Sequence, residues 1–337
     1  MAHPARTALV LQGGGALGAY ELGAARALYE QDGFSPDVVA GVSIGAITAA
    51  LLVRPAPGLT PLQALEAFWR KVTVAAPLLP PFLKPYASVF GNRNFFVPRL
   101  DILNWWSWTS FYDTSPLRHT LSELLDLKAL ADPGAEPRLF VTATDLEKGE
   151  LTYFDSRDGL ALDHIIASGS LPPSFPMTTI GKTPYWDGGL FDNTPLGAVL
   201  DRLDQEPDAQ RTVYVVNLFP NRAPIPTNLS EVTARMTGLQ FANKTAGDVK
   251  LLERFNQVAL LVKALDEHPG GNPLADDPAY LAVKRQAYVH VPDIVSITLP
   301  DTVGGFEGSD FSPDAITARA AEGYAQTKAA LVRRRGG

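Results

Sequence analysis

The 337-residue sequence contains no cysteine, only five histidines and no long apolar run. Without cysteine the chain cannot form a disulfide, a thiol nucleophile or a cysteine metal site. No uninterrupted apolar stretch approaches the roughly 20 residues of a membrane-spanning helix. The apolar run Ala8–Leu11 is also too short for the core of a secretory signal. We therefore predict a cytoplasmic protein, with a peripheral position on a membrane as the alternative.

Basic residues are outnumbered, since 29 Lys and Arg stand against 36 Asp and Glu for a net charge of −7. This balance argues against nucleic acid as a partner. The hydrophobic content of 46% and charged content of 19% are those of an ordinary globular protein. The length suits one large domain, or one domain with an extension.

The segment Gly41–Gly45 has the pattern G-x-S-x-G, entered by a β-branched run and followed by small helix-forming residues. In this pattern a serine lies on a sharp turn between a strand and a helix, and the glycines avoid collisions with both. The turn would expose the hydroxyl of Ser43 and direct the N-terminus of the helix toward a developing oxyanion. For the five residues alone, a purely structural turn is the favoured interpretation.

A second glycine turn follows the predicted strand Ala8–Gln12 and includes Gly13, Gly14 and Gly15. Together with Gly18 it fits the dinucleotide-binding pattern G-x-G-x-x-G. That pattern requires an acidic residue at the end of the second strand, whereas the nearest acid here, Asp37, precedes the strand. We therefore favour an oxyanion hole formed by the amides of Gly13, Gly14 and Gly15. Both glycine turns follow strands of a predicted parallel sheet, so we expect them to face one crevice.

A serine nucleophile needs a base. The usual partner is a histidine oriented by an aspartate, and the histidines after Asp187 are His268 and His290. Neither lies in a glycine-rich site sequence, whereas Asp187 is followed by Gly188 and Gly189, a turn that could direct its carboxylate to Ser43. We favour a Ser–Asp dyad, and a triad that uses His290 remains the alternative.

Residues 75–112 form an aromatic-rich segment broken by prolines, and three interpretations remain open for it. It could be the core of a packed subdomain, an apolar wall or lid over a ligand groove, or a surface that contacts a membrane through its tryptophans. Its aromatic residues are Phe82, Tyr86, Phe90, Phe95, Phe96, Trp105, Trp106, Trp108, Phe111 and Tyr112.

Strands are further predicted at Arg138–Asp145, with a hairpin partner at Leu151–Phe154, and at Val213–Phe219, the last clear strand of the main sheet. The chain after residue 225 is predicted to be mostly helical, with more strand at Tyr288–Val291 and Ile294–Ile297 and a final helix capped by Ser312.

Four stretches in this order resemble the patatin-like phospholipase family: Gly13–Gly18, Gly41–Gly45, Ala167–Pro173 and Asp187–Gly189. The resemblance implies a three-layer α/β/α fold with a mainly parallel central sheet. It also implies a hydrolase of lipid acyl esters that works through Ser43 and Asp187. Many family members carry Arg or Lys where Leu17 stands here, which weakens phospholipase relative to esterase or lipase.

The resulting domain prediction is an acyl hydrolase domain over residues 1–225 and a mostly helical extension over 226–337, packed on it. Part of the extension, Gly304–Ser312, looks like that of one bacterial branch of the family. The expected substrate is a lipid or other acyl ester, with transient contact between the aromatic-rich segment and a membrane. No metal or cofactor is expected, because a carboxylate base and amide donors suffice. An acyltransferase that uses a CoA or carrier thioester and a catalytically silent lipid-binding module are the alternatives.

Overall fold

The computed structural model describes residues 5–200, 202–203, 210–242, 245–286, 293–300 and 307–335. The strands are β1 (Ala5–Leu11), β2 (Val38–Gly41), β3 (Val97–Pro98), β4 (Tyr112–Asp113), β5 (Arg138–Asp145), β6 (Glu150–Asp155), β7 (Thr178–Ile180), β8 (Thr183–Asp187), β9 (Gln210–Asn217) and β10 (Asp293–Thr298). The helices are α1 (Ala19–Tyr29), α2 (Ile44–Val53), α3 (Pro61–Val72), α4 (Ser115–Leu124), α5 (Leu127–Ala131), α6 (Leu162–Ser168), α7 (Leu196–Leu200), α8 (Leu229–Phe241), α9 (Thr245–Asp266), α10 (Pro278–Gln286) and α11 (Pro313–Arg335).

The central sheet of the described chain has eight strands, ordered β10-β9-β1-β2-β5-β8-β7, with β6 also paired to β5. The five strands from β10 to β5 pair in parallel, and β6 and β8 pair antiparallel to β5. The predicted α/β fold with a mainly parallel sheet is confirmed, as is the β5–β6 hairpin. The sheet extends beyond β9, however, because β10 adds a parallel edge strand.

Both faces of the sheet are covered by helices, which gives the three layers. Side chains alternate along a strand, and in β1 Leu9 and Leu11 belong to the larger core cluster, with residues of α1, α2 and α3. Ala8 and Val10 face the other way, into a smaller cluster that includes four residues of α7. Because both faces of β1 are buried from Ala8 to Leu11, these four residues form one continuous apolar run.

The C-terminal part of the chain is joined to the main sheet. Strand β10 pairs with β9, and α11 packs along α1 so closely that the two backbones nearly touch. A Cβ on Gly23 would lie 1.8 Å from the carbonyl oxygen of Ala320, and one on Gly323 would lie 2.0 Å from that of Tyr20. The residues after 225 thus contribute both a strand and a helix to the layers around the sheet. No helix among the described residues is long and apolar enough to cross a membrane.

The aromatic-rich segment (75–112) divides into buried and exposed parts. Phe95 and Phe96 are buried in the larger core cluster, where Phe95 packs 5.6 Å from Phe311, ring centre to ring centre. Trp105 and Trp106, in a short 3-10 helix, are 66% and 71% exposed. One segment therefore contains both packed core and exposed apolar surface.

Candidate active site

Ser43 lies at the turn between β2 and α2. Its backbone φ is 56° and its ψ is −122°, and it is the one non-glycine residue with positive φ in the described chain. A serine in this conformation is strained, and such strain occurs at functional sites where the surrounding structure enforces it. Close backbone packing around the turn enforces it, and this packing requires glycine on both sides of Ser43. A Cβ on Gly41 would lie 2.1 Å from the carbonyl oxygen of Gly45, and one on Gly45 would lie 2.4 Å from that of Leu11.

A hydrogen bond holds the turn in place, and the helix that follows it places a positive partial charge beside Ser43. The amide of Ser43 donates to Oγ of Ser168, on α6, at 3.0 Å. Helix α2 begins at Ile44, directly after the serine. The positive end of the α2 dipole is therefore adjacent to the hydroxyl. Ser43 itself is half-buried and borders a cavity.

Asp187 ends strand β8 and is almost completely buried, with 2% of its surface exposed. Its backbone amide donates to the carbonyl of Ser170 at 3.0 Å, and its carbonyl accepts from the Thr144 hydroxyl at 2.8 Å. Its carboxylate oxygen Oδ1 accepts from the Gly189 amide at 2.8 Å. These three hydrogen bonds fix the positions of the Asp187 backbone and of its Oδ1 atom.

Burial raises the pKa of the Asp187 carboxyl from 3.8 to about 7, because removal from water disfavours its charged form. Interactions with the Ser43 side chain and the Gly189 amide act in the opposite direction and lower it. A carboxyl that titrates near pH 7 is suited to general base catalysis at neutral pH.

The sheet register explains how two residues 144 positions apart come together. Strand β2 pairs with residues 138–141 of β5 and β8 pairs with residues 143–145, while β6 spans 140–145. Since β6 overlaps both, it must occupy the opposite edge of β5, and β2 and β8 share one edge. Asp187, opposite Ala143, therefore lies just beyond the end of β2, where the chain turns into Ser43.

The two glycines after Asp187 are required by close contacts. A Cβ on Gly188 would lie 2.6 Å from the carbonyl oxygen of Thr142, and one on Gly189 would lie 2.8 Å from Oδ1 of Asn193. The turn after β8 can therefore form only because neither residue has a side chain.

The glycine loop after β1 lies directly against the serine turn, since a Cβ on Gly13 would be 2.9 Å from Cβ of Ser43. The Gly13 amide donates to Oδ1 of Asn193 at 3.1 Å, and its carbonyl accepts from Nδ2 of the same side chain at 3.1 Å. The amides of Gly14 and Gly15 have no acceptor within the described parts of the chain. Of the three predicted oxyanion donors, two are thus available and Gly13 is already engaged.

The conformation of the loop also depends on the C-terminal part of the chain. Gly15 has a φ of 57°, and a Cβ there would lie 2.4 Å from the carbonyl oxygen of Gly308. Two other residues of that part, Ser309 and Phe311, border the same cavity as Ser43.

The cavity that contains Ser43 and Asp187 has a volume of about 450 Å³ and walls that are mostly apolar. This volume is in the range of small-molecule and lipid-sized pockets. Six phenylalanines line it: Phe95, Phe96, Phe175, Phe219, Phe241 and Phe311.

Sequence reasoning assigned no role to three residues that hold the site together: Gln12, Ser168 and Asn193. Gln12 is fully buried, and its Oε1 accepts from the amides of Leu218 and Phe219 at 2.6 and 3.0 Å. A buried glutamine at the end of an apolar strand and an asparagine six residues after Asp187 are the signals available in the sequence. Neither signal shows which residues the glutamine or the asparagine would bind by hydrogen bonds.

The histidines in the described parts of the chain do not border the cavity. Nδ1 of His164 accepts from the Ala161 amide at 2.7 Å, and Nδ1 of His268 accepts from the Gly270 amide at 3.1 Å. His119 pairs with Glu123 on the exposed face of α4. His290, the alternative base, lies outside the described residues. No group of three or more potential metal-binding side chains occurs among the described residues.

Of the comparisons with known proteins, one establishes the family of the chain. A search of curated proteins gives no match. Among solved structures, VipD from Legionella pneumophila is 16% identical, with 98% of this chain and 67% of that chain covered, but its TM-score of 0.39 is too low to support a conclusion about function. The family model for patatin-like phospholipases matches residues 9–200, which is more than half of the chain and includes both glycine turns, Ser43 and Asp187. The chain therefore belongs to the patatin-like phospholipase family, a family of lipid acyl hydrolases.

Proposed function

We propose that this protein is a serine hydrolase of lipid acyl esters in which Ser43 is the nucleophile and Asp187 is the general base. One observation carries the proposal. A strained serine and a buried carboxyl with a pKa of about 7 lie together in an apolar cavity that borders the glycine loop. This combination provides a nucleophile, a base that titrates near neutral pH, and a binding site for an acyl chain.

In the proposed reaction the Asp187 carboxylate accepts the hydroxyl proton as Ser43 Oγ attacks the ester carbonyl carbon. The carbonyl oxygen becomes an oxyanion, stabilised by the free amides of Gly14 and Gly15 and by the N-terminus of α2. Asp187 then returns the proton to the leaving alkoxide, which yields an alcohol and an acyl-serine. Water then attacks the acyl-serine while Asp187 again accepts a proton. The bond between the acyl carbon and Ser43 Oγ breaks, Asp187 returns the proton to Oγ, and a carboxylic acid leaves.

Gly13 has a supporting part in this mechanism. Because its amide already donates to Asn193, we assign it to positioning the loop, and we assign the stabilisation of the oxyanion to its two neighbours. Asn193 holds Gly13 through both its donor and its acceptor, so the loop is preorganised before substrate binds.

The exposed apolar part of the aromatic-rich segment (75–112) serves as the contact with an aggregated lipid substrate. Trp105 and Trp106 are flanked by exposed Leu100 and Leu103, while Phe96 from the same segment borders the cavity. Tryptophan is favoured at the boundary between lipid and water. A surface that joins this boundary to the cavity would shorten the path of a lipid to Ser43.

Two substitutions test the proposed pair. Ser43→Ala and Asp187→Asn should each reduce the turnover of a p-nitrophenyl acyl ester to background, since each removes a group that the acyl transfer requires. Circular dichroism should show that both variants are folded. Wild-type activity in the Asp187→Asn variant, or failure of Ser43 to react with a fluorophosphonate probe, would contradict the proposal.

A further inference from the structure

Helix α8 forms one wall of the cavity and lies outside the stretch that the family model matches. The carbonyl of its last residue, Phe241, accepts from Nδ2 of Asn193 at 3.3 Å and from Nε2 of Gln12 at 3.2 Å. These two bonds fix the C-terminal end of α8 beside the glycine loop. The helix therefore extends away from the candidate catalytic centre, along the cavity.

Two charged side chains of α8, Glu231 and Arg235, also border the cavity, and both are half-buried. With a rise of 1.5 Å per residue, Arg235 lies about 9 Å along the axis from Phe241, and Glu231 lies about 6 Å farther. The two charges thus follow one another along a single wall, with the cation nearer to Ser43.

The two side chains bind separate neutral partners. Glu231 Oε2 accepts from the amide and the hydroxyl of Thr227 at 2.7 and 2.9 Å. Nη2 of Arg235 donates to the carbonyl of Asn221 at 2.8 Å. A glutamate and an arginine four residues apart on a helix commonly form an ion pair, but in the described structure these two do not. Each charge is oriented by its neighbours and has no counter-charge among the described residues.

The Glu231 carboxyl is held in its ionised form by hydrogen bonds. Hydrogen bonds from Thr227, and further ones from Asn228, lower the pKa of the Glu231 carboxyl below its ordinary value. Arg235 is the only cation among the described residues that border the cavity, and its Nε and Nη1 donors have no acceptor within the described parts of the chain. A planar guanidinium with free donors is well suited to phosphate.

We propose that Arg235 and Glu231 form a headgroup subsite for a zwitterionic phospholipid. Arg235 binds the phosphate, and Glu231 binds the ammonium group. The phosphate of such a lipid is a few bonds from its acyl esters, and its ammonium is joined to the phosphate by two methylene groups, so the order along the lipid matches the order along α8. The inference rests on the proposed function, because an ester of the same lipid must reach Ser43.

Binding to the Ser43→Ala protein tests the subsite without requiring turnover. The probes are three dihexanoyl lipids below their micellar concentrations: phosphatidylcholine, phosphatidic acid and diacylglycerol. We expect Arg235→Gln to weaken phosphatidylcholine binding at least about tenfold and to leave diacylglycerol unchanged, since a charge-assisted contact is lost. Glu231→Gln should weaken phosphatidylcholine but not phosphatidic acid, and Arg235→Lys should be intermediate.

Arg254→Gln is the matched control, since this arginine lies on the exposed surface of α9 and does not border the cavity. The control should bind all three lipids as the parent does. Equal weakening of phosphatidylcholine and diacylglycerol by Arg235→Gln, or equal affinity of the parent for the two lipids, would overturn the subsite. Turnover of a p-nitrophenyl ester is measured separately, with the wild-type protein that retains Ser43. A protein that shows the binding pattern but no turnover would refute the hydrolase proposal and leave the subsite standing.

Discussion

At the scale of single residues, the burial of Asp187 determines the pH at which the proposed reaction proceeds. The pKa of its carboxyl is raised to about 7 by removal from water, and only the ionised form can accept the Ser43 proton. We expect kcat/KM for an uncharged p-nitrophenyl ester to rise roughly tenfold per pH unit below about pH 7 and to level off above it. A profile that is already flat from roughly pH 5 upward would contradict Asp187 as the base.

The same titration makes the stability of the folded protein depend on pH. The pKa of Asp187 is higher in the folded state, about 7, than its ordinary value of 3.8. The folded state therefore holds more protons between these values, and the wild type loses stability as the pH rises through this window. The amide side chain introduced by Asp187→Asn cannot ionise. The free energy of unfolding of this variant, relative to that of the wild type, should therefore rise by at most about 4 kcal/mol between pH 4 and pH 8. Urea unfolding of both proteins at the two pH values measures this gain, and a pH-independent difference would count against the raised pKa.

Asn193 is expected to act through the glycine loop. Asn193→Ala would leave the amide and the carbonyl of Gly13 without their partner, and a displaced loop would no longer align the oxyanion donors. We expect kcat to fall between about tenfold and a hundredfold, with a much smaller change in KM. Steady-state kinetics with a p-nitrophenyl ester checks this split, and an unchanged kcat would show that the loop is held without Asn193.

At the scale of elements, the contact between α1 and α11 leaves no room for a side chain at either glycine. Gly323→Ala would place a Cβ within 2.0 Å of a backbone oxygen of α1, so the helices would have to separate. We expect a loss of roughly 1–3 kcal/mol in the free energy of unfolding, or more. Gly197→Ala, in helix α7, is the matched control. A Cβ at this position would meet nothing within 4 Å, and alanine favours a helix more than glycine does. Chemical denaturation should separate the two variants, and equal stabilities would disprove the close contact.

The elements with strong local signals could be predicted from the sequence. The continuous apolar run of β1, the glycine turn around Ser43 and the hairpin of β5 and β6 each depend on neighbouring residues, and each is present. The edge position of β10 could not be predicted, because it depends on pairing with β9, about 80 residues away. The same holds for Asn193, whose partner Gly13 lies 180 residues earlier. Pairings of this kind carry no local pattern. The predicted strand at Tyr288–Val291 lies outside the described residues.

At the scale of the whole molecule, the proposed lipid contact of the aromatic-rich segment (75–112) predicts different effects on two kinds of substrate. A dissolved ester can diffuse to Ser43, whereas a lipid in a vesicle must first leave its bilayer. A double variant, Trp105→Ser with Trp106→Ser, should lower the hydrolysis of phospholipid vesicles at least about tenfold, because the protein loses its contact with the interface. Its activity on a p-nitrophenyl ester should stay within about twofold of the wild type.

Val332→Ser is the control for the double variant, since Val332 on α11 is 71% exposed and does not border the cavity. It should leave the hydrolysis of vesicles unchanged. An equal loss of vesicle activity in the control, or an equal loss on both substrates in the double variant, would argue against the lipid contact.

The position of β1 has a consequence for how the protein is made. The first strand lies between β2 and β9, and Ala5 pairs with Gln210, so its partner leaves the ribosome roughly 10 to 40 s later at ordinary rates of synthesis. Gly308, which contacts the glycine loop, and α11, which packs on α1, follow later still. A nascent chain therefore carries Ser43 long before it has a complete cavity. Under the proposed function, the emerging polypeptide should therefore show no hydrolase activity before Phe311, which lines the cavity, has been added.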